Sequence, residues 1–424
     1  MDATLRIRAL SDIKERESHG AMEVFYKGEK KTMPVYEIPL DVLIYNQYNG
    51  RISSLVKSYE MQHGHIDPTT MEGRSRIERF LWISNETRNK KTLRDLEKHG
   101  QLKYGIVTRD GIIIDGNRRA SLLSRLAKKR NQEPGYFKAV ILDDTLDQDP
   151  REIQRLETIY QMGEDEKLTY NPIEKYLRCK DLEAAGFNTD EIAEMMSESH
   201  SRVETWLEIM RLMDEFLDEL GYSQIYTRLD ETEGPFVDLQ RYLARYAGSQ
   251  STMVDWQYSE QDLNDLKLIM FDYIRARFTG SGGKDYRYIA QPSKKESFFC
   301  RRDIWEQFRD NHFEKTESAS EDLPSINDYR QQNPGLDLED VLQSRDDDWT
   351  NRVTDSLKEN LGKSRGRLEN LNERDAPVKL LARVLSILKD VDTESPTFLE
   401  DEAVRDAVYE INRITYDFKK LLKG

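Results

Sequence analysis

The apolar positions of this chain change period along its length. Val35–Ile38 is a short β-type run, and Gly105–Thr108 and Ile112–Ile114 are two more, split by Arg109-Asp110-Gly111. Asp-Gly between apolar runs predicts a hairpin. Tyr136–Leu142 predicts a further strand, closed by an acidic loop over 143–149. Between these runs the spacing turns helical. Thr92–His99 places Leu93 and Leu96 on one face with Gly100 as terminator, and Arg118–Lys129 turns Ala120, Leu123 and Leu126 inward. The opening thirty residues are polar and weakly periodic and read as a loose arm.

From Glu152 to Leu220 the helical period holds throughout. Pro172 suits a first helical turn that Gly186 ends, and Asn188-x-x-Glu191 and Ser201-x-x-Glu204 have the form of capping boxes. They open a short helix (Ile192, Ala193, Met196) and a longer one (Val203, Leu207, Met210, Leu217). The Ser-Glu-Ser-His joint has the length of a helix-turn-helix, although a plain bundle would show the same pattern. Further on, 262–278 and 303–312 read as helices and Tyr286–Ile289 as a short strand. Residues 316–350, rich in Asp, Ser and Pro, read as a linker. Three amphipathic helices are expected over 352–372, 377–390 and 399–423, with Leu381, Leu385 and Leu388 and then Val404, Val408, Ile411 and Phe418 at helical spacing.

The predicted class is α+β, a small mixed N-terminal domain followed by mainly helical domains. The expected division is an arm (1–32), a mixed domain (33–150), a helical domain with the helix-turn-helix (151–220), a mostly helical region of unassigned role (221–315), an acidic linker (316–350) and a helical association region (351–424).

Composition alters this picture through charge. The 424 residues carry a net charge of −15, yet residues 101–130 hold eight basic against two acidic side chains. Residues 1–130 sum to +8, so the remainder carries −23. An acidic chain does not coat DNA by charge alone, but a local basic face falls on the predicted hairpin and the helix after it. Residues 151–220 hold 8 basic against 18 acidic residues, which weakens the helix-turn-helix as a DNA reader. Its candidate contacts are His200, Ser201, Arg202 and Thr205, with Glu204 and Glu208 opposing. Two cysteines, Cys179 and Cys300, exclude a disulfide framework and read as packing residues. No leader-like apolar stretch opens the chain and no apolar run approaches a membrane span, so a cytoplasmic, nucleoid-associated setting is expected.

The stretch richest in chemistry is YGIVTRDGIIIDGNRRASLLSR, residues 104–125. A hairpin delivers the chain to a tight Asp115-Gly116 turn, and a helix opens with Arg118 and Arg119. Free N–H groups at a helix start, backbone approach at Gly116 and two fork-shaped donors suit a phosphate. Asp115 or Asn117 would cap the helix, hold a metal beside the phosphate, or orient an arginine. The bland alternative is a solvated helix start with surface salt bridges.

This stretch resembles the ParB/sulfiredoxin superfamily, whose phosphate box reads Gly-Glu-Arg-Arg; here it is Gly116-Asn117-Arg118-Arg119. Ile38–Ile44 with Asn49-Gly50-Arg51, the helix ending at Gly100, and Asn171-Pro-Ile-Glu174 through Leu212 resemble the family's flanking elements, so the likeness spans roughly 33–217. The resemblance implies a ParB-like N-terminal domain that binds a nucleoside triphosphate, CTP or ATP, with magnesium. It implies phosphate contacts from Arg51, Gly116, Asn117, Arg118 and Arg119, and help for magnesium and catalysis from Asp115 and Glu174. DNA and a second copy of the chain, held through the C-terminal helices, are the implied partners. The family's Glu-Asn-x-Gln-Arg segment has no counterpart before Asn171, where Gln161 and Glu164 are the nearest matches. Asn117 stands where sulfiredoxins carry cysteine, so the likeness does not extend to their chemistry. A metal-dependent nuclease using Asp110 and Asp115, and a catalytically silent scaffold, are the rival readings. His63-x-His65 with Asp67 reads as a polar loop before it reads as a metal cluster. Thr279–Gly283 followed by Lys284 is a flexible loop with some capacity to touch phosphate.

Overall fold

A computed structural model describes residues 1–162, 171–248, 254, 256–280, 283–292, 297–321 and 323–422. It is an α+β protein, with a mixed sheet in the N-terminal part and helices thereafter. The elements of the first part are α1 (Ala3–Lys14), β1 (Gly20–Tyr26), β2 (Glu29–Pro39), β3 (Ile44–Tyr45), α2 (Ser53–His63), α3 (Met71–Ile83), α4 (Glu86–His99), β4 (Gly105–Val107), β5 (Ile112–Asp115), α5 (Asn117–Arg130), β6 (Tyr136–Ile141) and α6 (Pro150–Met162). The sheet runs β1-β2-β6-β4-β5-β3. β4 pairs parallel with β6 and antiparallel with β5, and β3 closes the edge parallel to β5.

Period-2 alternation sorts the strand residues into two cores. Tyr36, Ile38, Val107, Ile113, Phe137, Ala139 and Ile141 face the layer built with α1 to α3 and Ala120. Val24, Val35, Ile106, Ile114 and Val140 face Ile153 and Leu156 of α6. Covered on both faces, the short strands are continuous apolar runs.

The remaining helices are α7 (Pro172–Ala184), α8 (Thr189–Met196), α9 (His200–Glu219), α10 (Glu233–Tyr246), α11 (Glu260–Arg275), α12 (Arg302–Glu321), α13 (Ile326–Gln332), α14 (Leu338–Lys389), α15 (Pro396–Glu400) and α16 (Glu402–Leu421). One large core joins Ile173 of α7 to Leu368 of α14. A smaller one packs α7, α8 and α9 around Cys179, Ile192 and Val203.

Several expected elements differ. The arm folds: α1 buries Leu10 and Ile13, and β1 buries Val24 and Tyr26. Its few apolar residues sit one per turn or at alternate positions, too sparse to stand out from the polar background. The stretch read as a linker is helical, with Tyr329, Val341, Leu342 and Trp349 buried. Its acidic residues have partners there: Asp346 binds Arg228 and Arg275, and Asp348 accepts from Tyr329. The helices expected over 352–372 and 377–390 are one continuous α14 with Pro377 inside it. Asp285–Tyr288 is a 3-10 turn rather than a strand.

Candidate functional site

The site is built where β5 meets α5. Asp115 ends β5, Gly116 turns with φ +99, and α5 begins at Asn117. A left-handed φ favours glycine here. A Cβ on Gly116 would also meet the ring of Phe137 at 2.6 Å. Gly116 has no side chain with which to cap α5, and the first turn carries no acidic residue. The helix end therefore presents N–H groups and the positive end of its dipole beside Arg118 and Arg119.

The four residues of the box do different work. Asn117 is buried; its Oδ1 accepts from the Asn46 N–H at 2.9 Å and its Nδ2 donates to the Ile113 carbonyl at 2.8 Å. That clamp joins positions 71 apart in sequence and lays the loop carrying Arg51 beside the start of α5. Arg119 donates to Asp115 Oδ2 at 2.7 Å and to the carbonyls of Lys103 and Tyr104 at 2.6 and 3.1 Å. Of the three roles open to Asp115 in the sequence, pairing with an arginine is the one the geometry displays. Arg118 and Arg51 are both half-buried.

Behind this turn lies a polar layer of which the sequence had singled out only Gln161 and Asn49. Glu157 of α6 is buried and faces Arg178 of α7 at 3.3 Å, Gln161 at 3.0 Å, the Asn46 side chain and the Gly50 N–H. Burial pushes its carboxyl pKa up, with Arg178 pulling the other way. Arg178 also donates to Thr158 Oγ1 at 3.0 and 2.8 Å. Gln161 reaches the Ile114 carbonyl at 3.4 Å, and Asn46, Gln47 and Asn49 of the loop are buried beside this layer. Glu157 and Arg178 stand on different helices, so no local spacing links them. The signals available in the sequence were Asn49-Gly50-Arg51 and Gln161, which the family resemblance had marked. Glu164 lies outside the described residues.

Glu174, expected to assist magnesium, lies in the first turn of α7, and its carboxyl group reaches the start of α2. It accepts from the Ser54 hydroxyl at 2.5 Å and the Ser54 N–H at 3.3 Å. Burial pushes its pKa up to about 7, against the hydrogen bonds from Ser54. The helix that would otherwise end on Ile52, which has no side-chain cap, is thus capped by a carboxylate from α7.

Asp110 and Asp115 do not converge. Asp110 lies in the β4–β5 turn, where it accepts from Thr108 at 2.6 Å, and Asp115 lies at the far end of β5. Gly111 and the first three residues of β5 lie between them, and each meets its own partner, Thr108 and Arg119. No group of three or more His, Cys, Asp or Glu able to hold a metal occurs among the described residues. His65 pairs with Glu60 and His63 stacks on Tyr59.

In the second half of the expected site, α8 and α9 are separated by Ser197–Ser199, with Ser199 capping Arg202 N–H. His200 contacts Asp190 at 2.6 Å and Glu204 at 3.1 Å, and these bonds raise its pKa. Arg202 pairs with Glu198 at 3.0 Å, Thr205 donates to the Ser201 carbonyl, and Ser201 is exposed. The basic groups at this helix start are neutralised by neighbouring acids. No helix among the described residues is long and apolar enough to cross a membrane.

No family model and no curated protein matches this chain. Among solved structures, it is similar to the C-terminally truncated chromosome-partitioning protein ParB from Caulobacter crescentus complexed with CTP-gamma-S, with 15% identity over 49% of this chain and 92% of that one. The TM-score is 0.19, and a superposition of that quality carries no argument about this chain.

Proposed function

We propose that this chain is a ParB-like protein that binds the phosphates of a nucleoside triphosphate with magnesium at the start of α5. The observation that carries the reading is that end itself: Gly116 without a side-chain cap, no acid in the first turn, and Arg118 beside it. The Asn117–Asn46 bond adds the Arg51 loop to the same place. Backbone N–H groups of the first turn, Arg118 and Arg51 would hold the phosphates, while Arg119 braces the turn through Asp115.

The proposal stops at binding. Asp115 and Glu174, expected as catalytic carboxylates, each have a structural partner, so magnesium would come held by the nucleotide's own phosphates. CTP and ATP remain the expected ligands by family resemblance, and α8–α9 is assigned to DNA or a partner protein on the same ground. Engagement of Asn117 and Arg119 by protein groups favours the scaffold as second reading, in which the fold persists and no nucleotide binds. Melting measured with ATP, CTP and GTP plus magnesium separates the two, since only the first reading predicts a nucleotide-dependent rise that Arg118→Ala abolishes.

The association region belongs to the same proposal. Among the described side chains of α14, Leu368 is the last buried apolar one. Leu381, Leu385 and Leu388 are exposed, as are Val408 and Phe418 of α16, and α15 and α16 bury no residue at all. Apolar stripes of this extent mark an association surface, and a second copy of the chain is the proposed occupant. Leu385→Glu with Phe418→Glu is expected to convert a dimer to a monomer in sedimentation; a monomeric wild type would remove this part of the proposal.

A further inference from the structure

The region of unassigned role, 221–315, holds an open cavity of about 320 Å³ between α10, α11 and the 3-10 turn at Asp285–Tyr288. Its floor is apolar: Pro235, Met270, Ile274 and the edge-to-face pair Tyr273 and Phe278, with ring centroids 5.2 Å apart. Its rim is charged, with Arg277 and Lys284 against one lining carboxylate, Glu231. Apolar walls with a few placed polar groups are the usual make-up of a small-molecule site.

The rim is built at a conformational cost. Arg277 has φ +47 and Glu231 φ +66, the left-handed region that glycine occupies most easily. Arg277 stands just beyond the end of α11, where its N–H bonds the Ile274 carbonyl and the Phe278 N–H bonds the Tyr273 carbonyl. That is the helix-ending position in which glycine is the default. Here the position carries a guanidinium at the mouth of an aromatic-floored cavity, and its partner Glu231 is held in the same strained way. Such residues persist where the surroundings over-determine them, as at ligand clamps.

The Arg277–Glu231 contact is 3.5 Å long, and the Glu231 side chain is 88% exposed. An exposed pair of that kind is weak, so a competing anion displaces Glu231 with little loss. Asp230 lies near Arg277, and burial pushes its carboxyl pKa up against the pull of Arg277 and Arg228. Of the other polar lining groups, Tyr286 donates to Asp238, Thr232 to the Leu229 carbonyl and Tyr273 to the Leu357 carbonyl, and Thr279 adds a hydroxyl to the wall. Arg277 and Lys284 are the cationic groups of the lining.

We propose that this cavity binds a small aromatic carboxylate or similar ring-bearing anion, its ring on Tyr273 and Phe278 and its charge on Arg277 and Lys284. The site is separate from the α5 phosphate site and stands or falls independently of it. The test is titration calorimetry of the full chain with naphthalene-2-carboxylate and with its uncharged analogue 2-naphthalenemethanol. Arg277→Gly is the diagnostic variant, because glycine accepts the φ at that position and the fold melts no lower than wild type. The carboxylate is expected to bind one per chain at or below about 1 mM, and at least about tenfold more weakly in Arg277→Gly, with the alcohol weakened likewise in the wild type. No binding of the carboxylate in that range, equal binding of the alcohol, or affinity untouched by Arg277→Gly would each overturn the proposal.

Discussion

Two helix starts lie on either side of the same buried polar layer and meet their electrostatic need differently. At the start of α2 the chain supplies its own carboxyl group: Glu174, from a helix 120 residues away, accepts from Ser54. At the start of α5 the first turn has no acid, the capping position is glycine, and the adjoining side chains are Arg118 and Arg119. The loop carrying Asn46 to Arg51 links the two, clamped to α5 by Asn117 and to α6 through Glu157. A helix end already holding a carboxylate has no use for a phosphate, whereas an end capped by glycine, with its nearest carboxylate, Asp115, drawn to Arg119, is suited to receive one. The start of α9 is a third case, capped by Ser199 and self-neutralised by Asp190, Glu198 and Glu204.

The comparison breaks most severely at Gly116. Gly116→Ala forces a left-handed φ on an L side chain and drives its Cβ into Phe137. A loss of about 3 kcal/mol is expected in denaturant unfolding. A change below about 0.5 kcal/mol would mean that the turn is not fixed as described.

Glu174 sharpens the other side. Its pKa rises on folding from an ordinary 4.5 to about 7, so the folded state binds the proton more tightly than the unfolded state does. Stability from this group is full below about pH 4.5 and declines as pH rises to about 7, by up to roughly 3 kcal/mol. Glu174→Gln keeps an acceptor for Ser54 and removes the charge. It is expected to flatten the stability profile between pH 5 and pH 8 and to raise stability most at the alkaline end. A profile as steep as that of the wild type would show that another group carries the dependence.

Much of this was legible in the sequence, and the limits have physical causes. The hairpin, the Gly116 turn and α5 were readable because Asp-Gly turns, apolar strands and helix termini are local signals. The start of α4 was not: capped by Asn85, it begins at Glu86, six residues before the expected Thr92, in a stretch with no apolar periodicity. The linker reading of 316–350 failed because acidic residues were taken as solvated, while Asp346 is held between Arg228 and Arg275 on distant elements. Within the site, the sequence offered four equivalent box residues. Only tertiary contacts show that Asn117, through Asn46 and Ile113, and Arg119, through Asp115, hold the turn together. Glu157 and Arg178 carried no signal, because their pairing exists only once α6 and α7 are packed.

The central claim is that the start of α5 takes its anion from outside the chain. The most direct test is thermal melting of the wild type and of Arg118→Ala with millimolar ATP, CTP or GTP plus magnesium. At a concentration 100 times the dissociation constant, binding adds about 2.7 kcal/mol to stability, a shift readily seen. The account predicts a rise with at least one of these nucleotides in the wild type and none in Arg118→Ala. No rise with any nucleotide, or a rise that survives in Arg118→Ala, would contradict it.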